Sequence, residues 1–300
     1  MRIGIFGGDP ARRTLDEVIA SAREAEHAGF ASFAVSQVFG GDSIMVLALV
    51  GREVPRIELA TAVVPVYLRH PHVMAQQALT AQAATGNRFV LGIGLSHQVV
   101  VEGLFGLSFD APLRAMREHL AVLMPLLHDG QVSFEGETVT ARATVAVSGA
   151  TAPPVLLAAL GPKMLELAGR VADGTMTWMT GLRTLQSYVV PTINAAASAA
   201  GRPAPRIAAS LPVCVTNDVA SARTLAARTY QVYGSLPSYR AMLDREGAEG
   251  PADVAIVGDA ATVTGAIRAI EDAGVTEFAA SPFGTREDRR RTVDALRALV

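Results

Sequence analysis

The segment Pro154–Met179 constrains the fold of this chain more than any other, because it reads as a complete strand, turn, helix, turn and strand. Val155–Ala159 is an apolar run of buried-strand length, and apolar residues recur at helical spacing after Gly161-Pro162. A second strand follows Asp173-Gly174. This βαβ unit predicts a parallel sheet that binds ligands at the carboxyl ends of its strands. Uncovered amides after Gly161 predict an anion-binding helix N-terminus.

Apolar runs of strand length alternate with helical patterns along the whole chain, which predicts an α/β fold. Because roughly 250 residues suffice for one barrel, we predict a single (β/α)8 TIM barrel over residues 1–300. An open, doubly wound sheet is the alternative. The eight strand candidates are Arg2–Phe6, Ser32–Ser36, Ile57–Val64, Arg88–Gly94, Val155–Ala159, Thr175–Met179, Ile207–Thr216 and Glu277–Ser281. The principal helices are predicted after Thr14 and over Pro71–Thr85, Pro112–His128, Pro162–Ala172, Leu182–Ala200, Val219–Tyr233 and Asp259–Ala273.

Two further patterns refine this prediction. Glu24–Ser36 resembles Ala269–Ser281, and each copy is a helix end, a glycine and a strand that ends in serine. Two such units at opposite ends of the chain would be neighbours in a closed barrel. The stretch 131–148 is rich in Val and Thr around Gly136, which predicts a small inserted β-hairpin.

Composition excludes several classes of protein. The chain has 26 basic and 28 acidic side chains and a net charge of −2, which argues against nucleic acid or an anionic membrane as a partner. Cys214 is the one cysteine, so an intramolecular disulfide is excluded. The histidines lack metal-ligand spacing, and we expect no metal site. With neither a signal-peptide pattern nor an apolar run of roughly 18 residues, a cytoplasmic location is expected.

The residues that follow the predicted strands should meet at one face of a barrel. They are small, backbone-rich and almost free of charge, which suits a flat apolar ligand with an anionic tail near Gly161-Pro162-Lys163. This set comprises Phe6–Gly8, Ser36-Gln37, Thr61–Tyr67, Gly94–His97, Leu160–Lys163, Trp178–Thr180 and Ser281–Phe283.

Several motifs together resemble one known family. They are LATAVVPVYLRHP, NRFVLGIGLSH, AALGPKMLELAGRVADGTMTWM, AGRPAPRI, LPSYRAMLDREG, and VAIVGDAATV with AGVTEFAASPFG. On these motifs the chain resembles the luciferase-like superfamily of flavin-dependent barrel enzymes, in its actinobacterial branch that uses the deazaflavin coenzyme F420. The resemblance covers essentially the whole chain.

The resemblance implies a set of cofactor contacts. Thr61-Ala62 matches the place where relatives hold a non-prolyl cis peptide that backs the deazaflavin ring. Leu160–Lys163 matches the loop on the phosphate side of the cofactor. The complete set implied is Thr61, Ala62, Val63, Leu95, Ser96, Leu160, Gly161, Pro162, Lys163 and Trp178.

The chain also departs from the family. Sugar-phosphate dehydrogenases of the family have an Asp-His pair where this chain has Gln37-Val38, and a phosphate-binding lysine near Leu182-Arg183. A sugar phosphate is therefore not the expected substrate. His97 stands where those enzymes have a glutamate, and it is our candidate for catalytic proton transfer because an imidazole titrates near neutral pH. Gln37 and Tyr67 are expected to contact the small-molecule substrate.

Some side chains have a second interpretation as structural residues. Lys163 reads equally well as a surface lysine, and Trp178 as a residue that closes the barrel mouth. Tyr230, Tyr233 and Tyr239 form either a substrate lid or a loop packed on the barrel.

The resulting functional prediction is a coenzyme F420-dependent oxidoreductase that transfers a hydride between the deazaflavin and a small organic substrate. One alternative is an FMN-dependent luciferase-like monooxygenase that uses reduced flavin and oxygen. The other is a non-catalytic F420- or flavin-binding protein. The resemblance also implies a homodimer and a separate F420 or flavin reductase as redox partner.

Overall fold

The computed structural model describes the backbone of residues 1–300 and every side chain except that of Arg12. The strands are β1 (Arg2–Phe6), β2 (Ser32–Val35), β3 (Glu58–Thr61), β4 (Val64–Pro65), β5 (Phe89–Gly94), β6 (Gln131–Glu135), β7 (Thr140–Thr144), β8 (Val155–Ala158), β9 (Gly174–Trp178), β10 (Arg206–Val215), β11 (Ile256–Gly258) and β12 (Glu277–Pro282). The helices are α1 (Leu15–His27), α2 (Ser43–Glu53), α3 (Pro71–Ala84), α4 (Gln98–Gly103), α5 (Pro112–His128), α6 (Pro162–Val171), α7 (Leu182–Thr184), α8 (Val190–Ala199), α9 (Val219–Thr229), α10 (Pro237–Glu246), α11 (Ala260–Asp272) and α12 (Arg286–Arg297).

Eight parallel strands close into a barrel, as predicted. Their order around the ring is β12, β1, β2, β3, β5, β8, β9 and β10, and β10 pairs with β12 to close it. The predicted hairpin is confirmed as the antiparallel pair β6 and β7, which lies outside the ring. The open-sheet alternative is wrong, because no edge is left between β10 and β12.

The structure corrects three details of the prediction. The third predicted strand is split into β3 and β4, and β4 pairs with β5 instead of continuing along β2. The short strand β11 adds to β10 outside the ring. Helix α2 was not predicted, because its apolar residues do not form one stripe; its start is marked by Asp42, which accepts hydrogen bonds from the amides of Ile44 and Met45.

Alternate residues of the strands form two distinct cores. Large side chains such as Phe33, Leu59 and Phe89 are fully buried outside the ring. The interior of the ring is packed by a smaller set of side chains, most of which are themselves small: Ala34, Ala60, Val90, Leu156 and Ala208. This alternation is the expected one for a barrel whose interior is filled by layers of side chains. Among the described helices, none has the length and apolar character needed to cross a bilayer.

One buried carboxylate attaches the hairpin to the barrel. Glu118, in the middle of α5, accepts hydrogen bonds from the amides of Glu137, Thr138 and Val139 and from the hydroxyl of Thr138, at 2.6–3.2 Å. The Thr138 hydroxyl and these amides lower the pKa of Glu118 to about 2, against the opposing effect of burial. Gly136 is required beside it, since a Cβ there would lie 2.5 Å from Glu118 Oε2.

We expect Glu118→Gln to destabilise the protein by about 1–3 kcal/mol at pH 7, because hydrogen bonds to a charged acceptor are replaced by weaker ones. The folded-state pKa is lowered, so this stabilisation is complete above the unfolded-state value near 4.5 and is lost as the pH falls towards 2. Urea unfolding at several pH values checks both statements. Glu137→Gln, on an exposed side chain of the same turn, is the matched control. A difference between wild type and Glu118→Gln that does not shrink at low pH would contradict the prediction.

Candidate active site

The carboxyl ends of the eight strands meet at one mouth of the barrel, and most of the predicted site residues lie there. Thr61 ends β3 and Ala62-Val63 follows it, Leu95–His97 follows β5, Leu160–Lys163 follows β8, and Trp178 ends β9. The parallel register of each neighbouring pair places these segments side by side. The mouth is therefore the candidate site.

The wall formed by the β3–β4 segment differs from the prediction by one residue. The cis peptide bond joins Ala62 to Val63, and not Thr61 to Ala62. The Ala62 amide donates to the Val35 carbonyl at 2.8 Å, so Ala62 still belongs to the ladder with β2. Thr61 is fully buried, and its hydroxyl donates to Gly92 O and accepts from Gly92 N. Ala62 and Val63 keep exposed surface and can contact a ligand.

Two glycines of β5 allow this wall to lie close to the neighbouring strand. A Cβ on Gly92 would lie 2.0 Å from the Thr61 carbonyl oxygen, and one on Gly94 would lie 2.8 Å from Val63 Cγ2. Gly94 would also approach Ala158 Cβ at 3.1 Å. Glycine is therefore needed here for close approach of backbones. The result is a smooth apolar surface between Val63 and β8.

Helix α6, which follows β8, begins with an N-terminus that no side chain caps. Gly161 is the N-cap and supplies no side-chain hydrogen bond, and Pro162 occupies the first turn. Gly161, Pro162 and Lys163 are exposed. Leu160 is half-buried, and its carbonyl accepts a hydrogen bond from Tyr188 Oη at 3.0 Å. Pro162 has no N–H and the Met164 amide donates to Gly161 O at 3.1 Å, so the free amide of the first turn is that of Lys163. A helix N-terminus with a free amide and a lysine side chain favours an anion such as a phosphate.

A cluster of aromatic rings covers the mouth opposite these two features. Trp178 packs on Phe6 at 5.2 Å between ring centroids, and on Tyr233 at 6.0 Å. Tyr233 packs edge-on against Tyr239 at 4.9 Å, and Tyr239 lies 5.7 Å from the imidazole of His97. We call this set the aromatic cluster: Phe6, His97, Trp178, Tyr230, Tyr233, Tyr239 and Phe283. Tyr230 and Tyr233 follow α9, and Tyr239 lies in the first turn of α10. We call the segment Tyr230–Tyr239 the lid, because its tyrosines pack against Trp178 and His97 at the mouth.

Burial keeps the titratable members of this cluster uncharged at neutral pH. It raises the pKa of Tyr230 to about 12 and raises the pKa values of Tyr233 and Tyr239 as well. Burial also lowers the pKa of His97 below 6.5. The hydroxyls remain donors, and the imidazole is mainly neutral. His97 precedes α4 and forms no side-chain cap, so its ring nitrogens are free to act on a ligand.

One buried polar atom in the mouth, Nε1 of Trp178, has no partner within hydrogen-bond distance among the described residues. Buried polar groups are nearly always hydrogen-bonded in proteins, so an orphaned donor at a strand end indicates a ligand or water. An uncharged mouth, a smooth wall at Ala62-Val63, and an open helix N-terminus together fit a flavin-type ring with a phosphate tail.

The structure separates the two predicted substrate contacts from the aromatic cluster. Gln37 Oε1 accepts from the amide and hydroxyl of Ser43 at 3.2 and 3.1 Å and lies 3.4 Å from Arg69 Nη2. Its amide oxygen is therefore engaged at the start of α2. Tyr67 packs on Phe109 at 5.4 Å and lines a different cavity. No group of three or more His, Cys, Asp or Glu side chains converges as a metal site within the described part of the chain.

Sequence reasoning missed part of this arrangement. The sequence leaves Tyr230, Tyr233 and Tyr239 as either a lid or a packed loop, and it pairs none of them with His97 or Trp178. The signal available was the aromatic content of Tyr230–Tyr239, which is concentrated in one loop. Nothing in the sequence connects that loop to His97, more than 130 residues earlier.

Comparisons with known proteins were made for the whole chain. A family model described as luciferase-like monooxygenase matches residues 1–300. The chain is 30% identical over 188 residues to a putative coenzyme F420-dependent oxidoreductase of Mycobacterium tuberculosis. That match covers 58% of this chain and 53% of the relative, about half of its length.

Two solved structures show the same fold. The coenzyme F420-dependent tetrahydromethanopterin reductase of Methanopyrus kandleri superposes with a TM-score of 0.82 at 22% identity, over 98% of this chain and 97% of that one. The oxygenating constituent of 3,6-diketocamphane monooxygenase from Pseudomonas putida, in complex with FMN, gives a TM-score of 0.78 at 19% identity, over 100% and 96%. At such identities the similarity concerns the fold alone.

The packing of the lid over His97 predicts how the imidazole of His97 titrates. We expect Tyr239→Ala to raise the pKa of His97 back towards 6.5, because removing the ring lets water reach the imidazole and solvate its charged form. An NMR titration of the histidine side chains measures this. Val232→Ala, at an exposed position of the same segment, is the control and should leave the His97 titration unchanged. An unchanged His97 pKa in Tyr239→Ala would show that other groups exclude water.

Proposed function

Since this chain belongs to the luciferase-like monooxygenase family, we propose that it is a coenzyme F420-dependent oxidoreductase that acts on a small organic substrate. The observation that carries the proposal is the character of the barrel mouth. An uncharged aromatic cluster faces the Ala62-Val63 wall, and the open N-terminus of α6 lies beside it. A planar ring and a phosphate are the two parts of a ligand that this combination would hold.

Each part of the mouth has a distinct role in the proposal. Ala62 and Val63 back the ring, with Thr61 fixing that wall to β5 through its two hydrogen bonds with Gly92. Leu95 and Ser96 line the same pocket. The loop Leu160–Lys163 takes the phosphate by its free amides and the charge of Lys163. Trp178 contacts the ring or the substrate through its unpartnered Nε1.

The deazaflavin supplies the carbon that accepts or donates the hydride, and the protein supplies orientation, exclusion of water and a proton path. His97 is the group proposed to move the proton, since its neutral imidazole can accept one at a ring nitrogen. Tyr239 holds the imidazole under the lid and keeps water from it. Gln37 and Tyr67 keep their proposed contact with the substrate only if the substrate extends towards Arg69.

The single experiment that tests the cofactor is a calorimetric titration with coenzyme F420 and, separately, with FMN. Micromolar binding of the deazaflavin and much weaker binding of FMN are expected. The reverse preference would assign the protein to the FMN-dependent monooxygenases, and oxygen consumption with reduced flavin would then be measured. Tight binding without bleaching of the deazaflavin by any reductant or acceptor would favour a non-catalytic binding protein. Binding of neither would contradict the proposal.

Lys163→Ala tests the phosphate end of the same site. We expect roughly threefold to tenfold weaker binding of the deazaflavin, with the loss diminishing as salt is added, because an exposed lysine contributes a screened charge. Arg170→Ala, in the last turn of the same helix, is the matched control. Equal affinities for the two variants would assign the phosphate to the backbone amides alone.

His97→Gln tests the proton path once a substrate has been found by screening. We expect the rate of hydride transfer in a single turnover to fall about 10²-fold, with binding of the deazaflavin little changed. If His97 acts as a base, the wild-type rate should fall as the pH drops through its lowered pKa, because the imidazole is then protonated. Stopped-flow absorbance against pH measures both. An unchanged rate in His97→Gln would remove His97 from the mechanism.

The proposal also requires a source of reduced coenzyme. A separate F420 or flavin reductase is the proposed redox partner, because the sequence has no dinucleotide-binding fingerprint for a nicotinamide cofactor.

A further inference from the structure

A second cavity lies outside the barrel mouth, between the N-terminal ends of α3 and α5 and the tip of the hairpin. Its volume is about 510 Å³, which is within the range of small-molecule sites. Its walls include Tyr67, Arg69, Leu107, Ala115, His119 and Val139. It shares no lining residue with the aromatic cluster, the Ala62-Val63 wall or the α6 N-terminus.

His119 is the most unusual group in this cavity. The residue is only 5% exposed, and its Nε2 has no hydrogen-bond partner among the described residues. Burial, together with nearby His70, lowers the pKa of His119 to about 3, so the imidazole is neutral at physiological pH. A buried imidazole without a partner is exceptional, because leaving such a group unsatisfied costs free energy.

Tyr67 repeats this pattern on the same cavity. Its hydroxyl oxygen is shielded from solvent and also has no partner in the described part of the structure. Burial and the negative charge of Asp110 raise the pKa of Tyr67, so the hydroxyl keeps its proton and can donate. Two unsatisfied polar groups therefore line one cavity.

Arg69 adds a third donor. Its side chain is 11% exposed, its Nε donates to Gln77 Oε1 at 3.0 Å, and its Nη2 pairs with Asp42. Its Nη1 makes no hydrogen bond to any residue that the structure describes. The guanidinium is thus neutralised by Asp42 but keeps free N–H groups.

Helix α5 begins beside the cavity, so the positive end of its dipole lies there. Ala111 is its N-cap and offers no side-chain hydrogen bond, Pro112 follows, and Ala111 and Ala115 both line the cavity. Asp110 also lines the cavity; its side chain is exposed and accepts a hydrogen bond from Ser108 Oγ at 2.5 Å. The buried polar groups of the cavity that lack a partner are those of Tyr67 and His119, while Val66, Leu107 and Val139 supply apolar surface.

We propose that this cavity is a second binding site, separate from the barrel mouth, for a small monocarboxylate with an apolar body. The carboxylate would accept hydrogen bonds from the side chains of Tyr67, Arg69 and His119, and the apolar body would pack on Leu107 and Val139. A carboxylate can accept hydrogen bonds from the unpartnered donors, and it is favoured by the N-terminal end of α5. A neutral molecule of the same shape would satisfy fewer donors.

The test uses benzoate and its neutral isostere benzamide as probes of the purified full-length protein. Calorimetry should give benzoate a submillimolar dissociation constant, and benzamide should bind at least about tenfold more weakly than benzoate. In a ¹⁵N-histidine NMR spectrum, benzoate should shift the His119 signals. Failure of benzoate to bind at roughly 10 mM, or equal binding of the two probes, would overturn the proposal.

Tyr67→Phe removes one donor and keeps the ring that packs on Phe109. It should weaken benzoate about tenfold, the usual effect of losing one hydrogen bond to a charged group. Tyr188→Phe is the matched control, because it removes a hydroxyl that is bonded to Leu160 O at the other site. Equal benzoate affinity in the Tyr67→Phe variant and in wild type would overturn the assignment to this cavity.

Failure of this second-site proposal can be distinguished from failure of the function proposed for the barrel mouth. Benzoate binding is repeated with the protein saturated by whichever of F420 or FMN it binds, and the affinity should not change. Competition would mean that benzoate occupies the barrel mouth, which overturns the second site. If neither cofactor binds, the benzoate result with Tyr67→Phe and the His119 signals still decides the proposal.

Discussion

The ionic contact of Arg206 across the amino-terminal end of the barrel is the constraint on which the rest of the structure depends. Arg206 begins β10 and donates to Glu277 of β12 at 2.7 Å and to Glu58 of β3 at 2.6 Å. Strands β3 and β10 lie four places apart in the ring of eight, so this contact spans the barrel. Burial lowers the pKa of Arg206, but its bonds to Glu277 and Glu58 outweigh that effect and raise it. Loss of one partner from such a cluster would leave an uncompensated charge.

This arrangement confines the charged groups of the barrel interior to the end away from the mouth. Above the Arg206 contact, the interior is packed by small apolar side chains such as Ala34, Ala60 and Ala208. The mouth above them has tyrosines, a tryptophan and a neutral histidine, with Lys163 at its edge. A low-dielectric mouth strengthens each hydrogen bond made to a ligand there and keeps water from a reactive ring. The chemistry proposed for the mouth needs both properties.

The sequence predicted the barrel well, because buried parallel strands and proline-started helices carry local signals. All eight barrel strands, the hairpin and the α6 N-terminus follow from residues near one another in the chain. Helix α2 was missed because its apolar residues do not form one stripe. The cis peptide was placed one residue early because the end of a β ladder depends on hydrogen bonds to Val35, which belongs to another strand. The pairing of Tyr239 with His97 depends on tertiary packing, for which a single sequence carries no signal.

The surroundings of His119 also depend on tertiary packing, for which a single sequence carries no signal. On the sequence it is one of two histidines of the predicted helix Pro112–His128, and no motif there marks it as a ligand contact. Its neighbour Glu118 has a structural role, since it binds the hairpin tip through Thr138 and Val139. The same two hairpin residues form a wall of the cavity that His119 lines. The attachment of the hairpin to Glu118 therefore encloses the unpartnered imidazole of His119 in a cavity. Without the hairpin, this imidazole would face solvent. Since the hairpin is an insertion outside the barrel ring, the cavity is a property of this insertion together with α5, and it can bind a ligand independently of the barrel mouth.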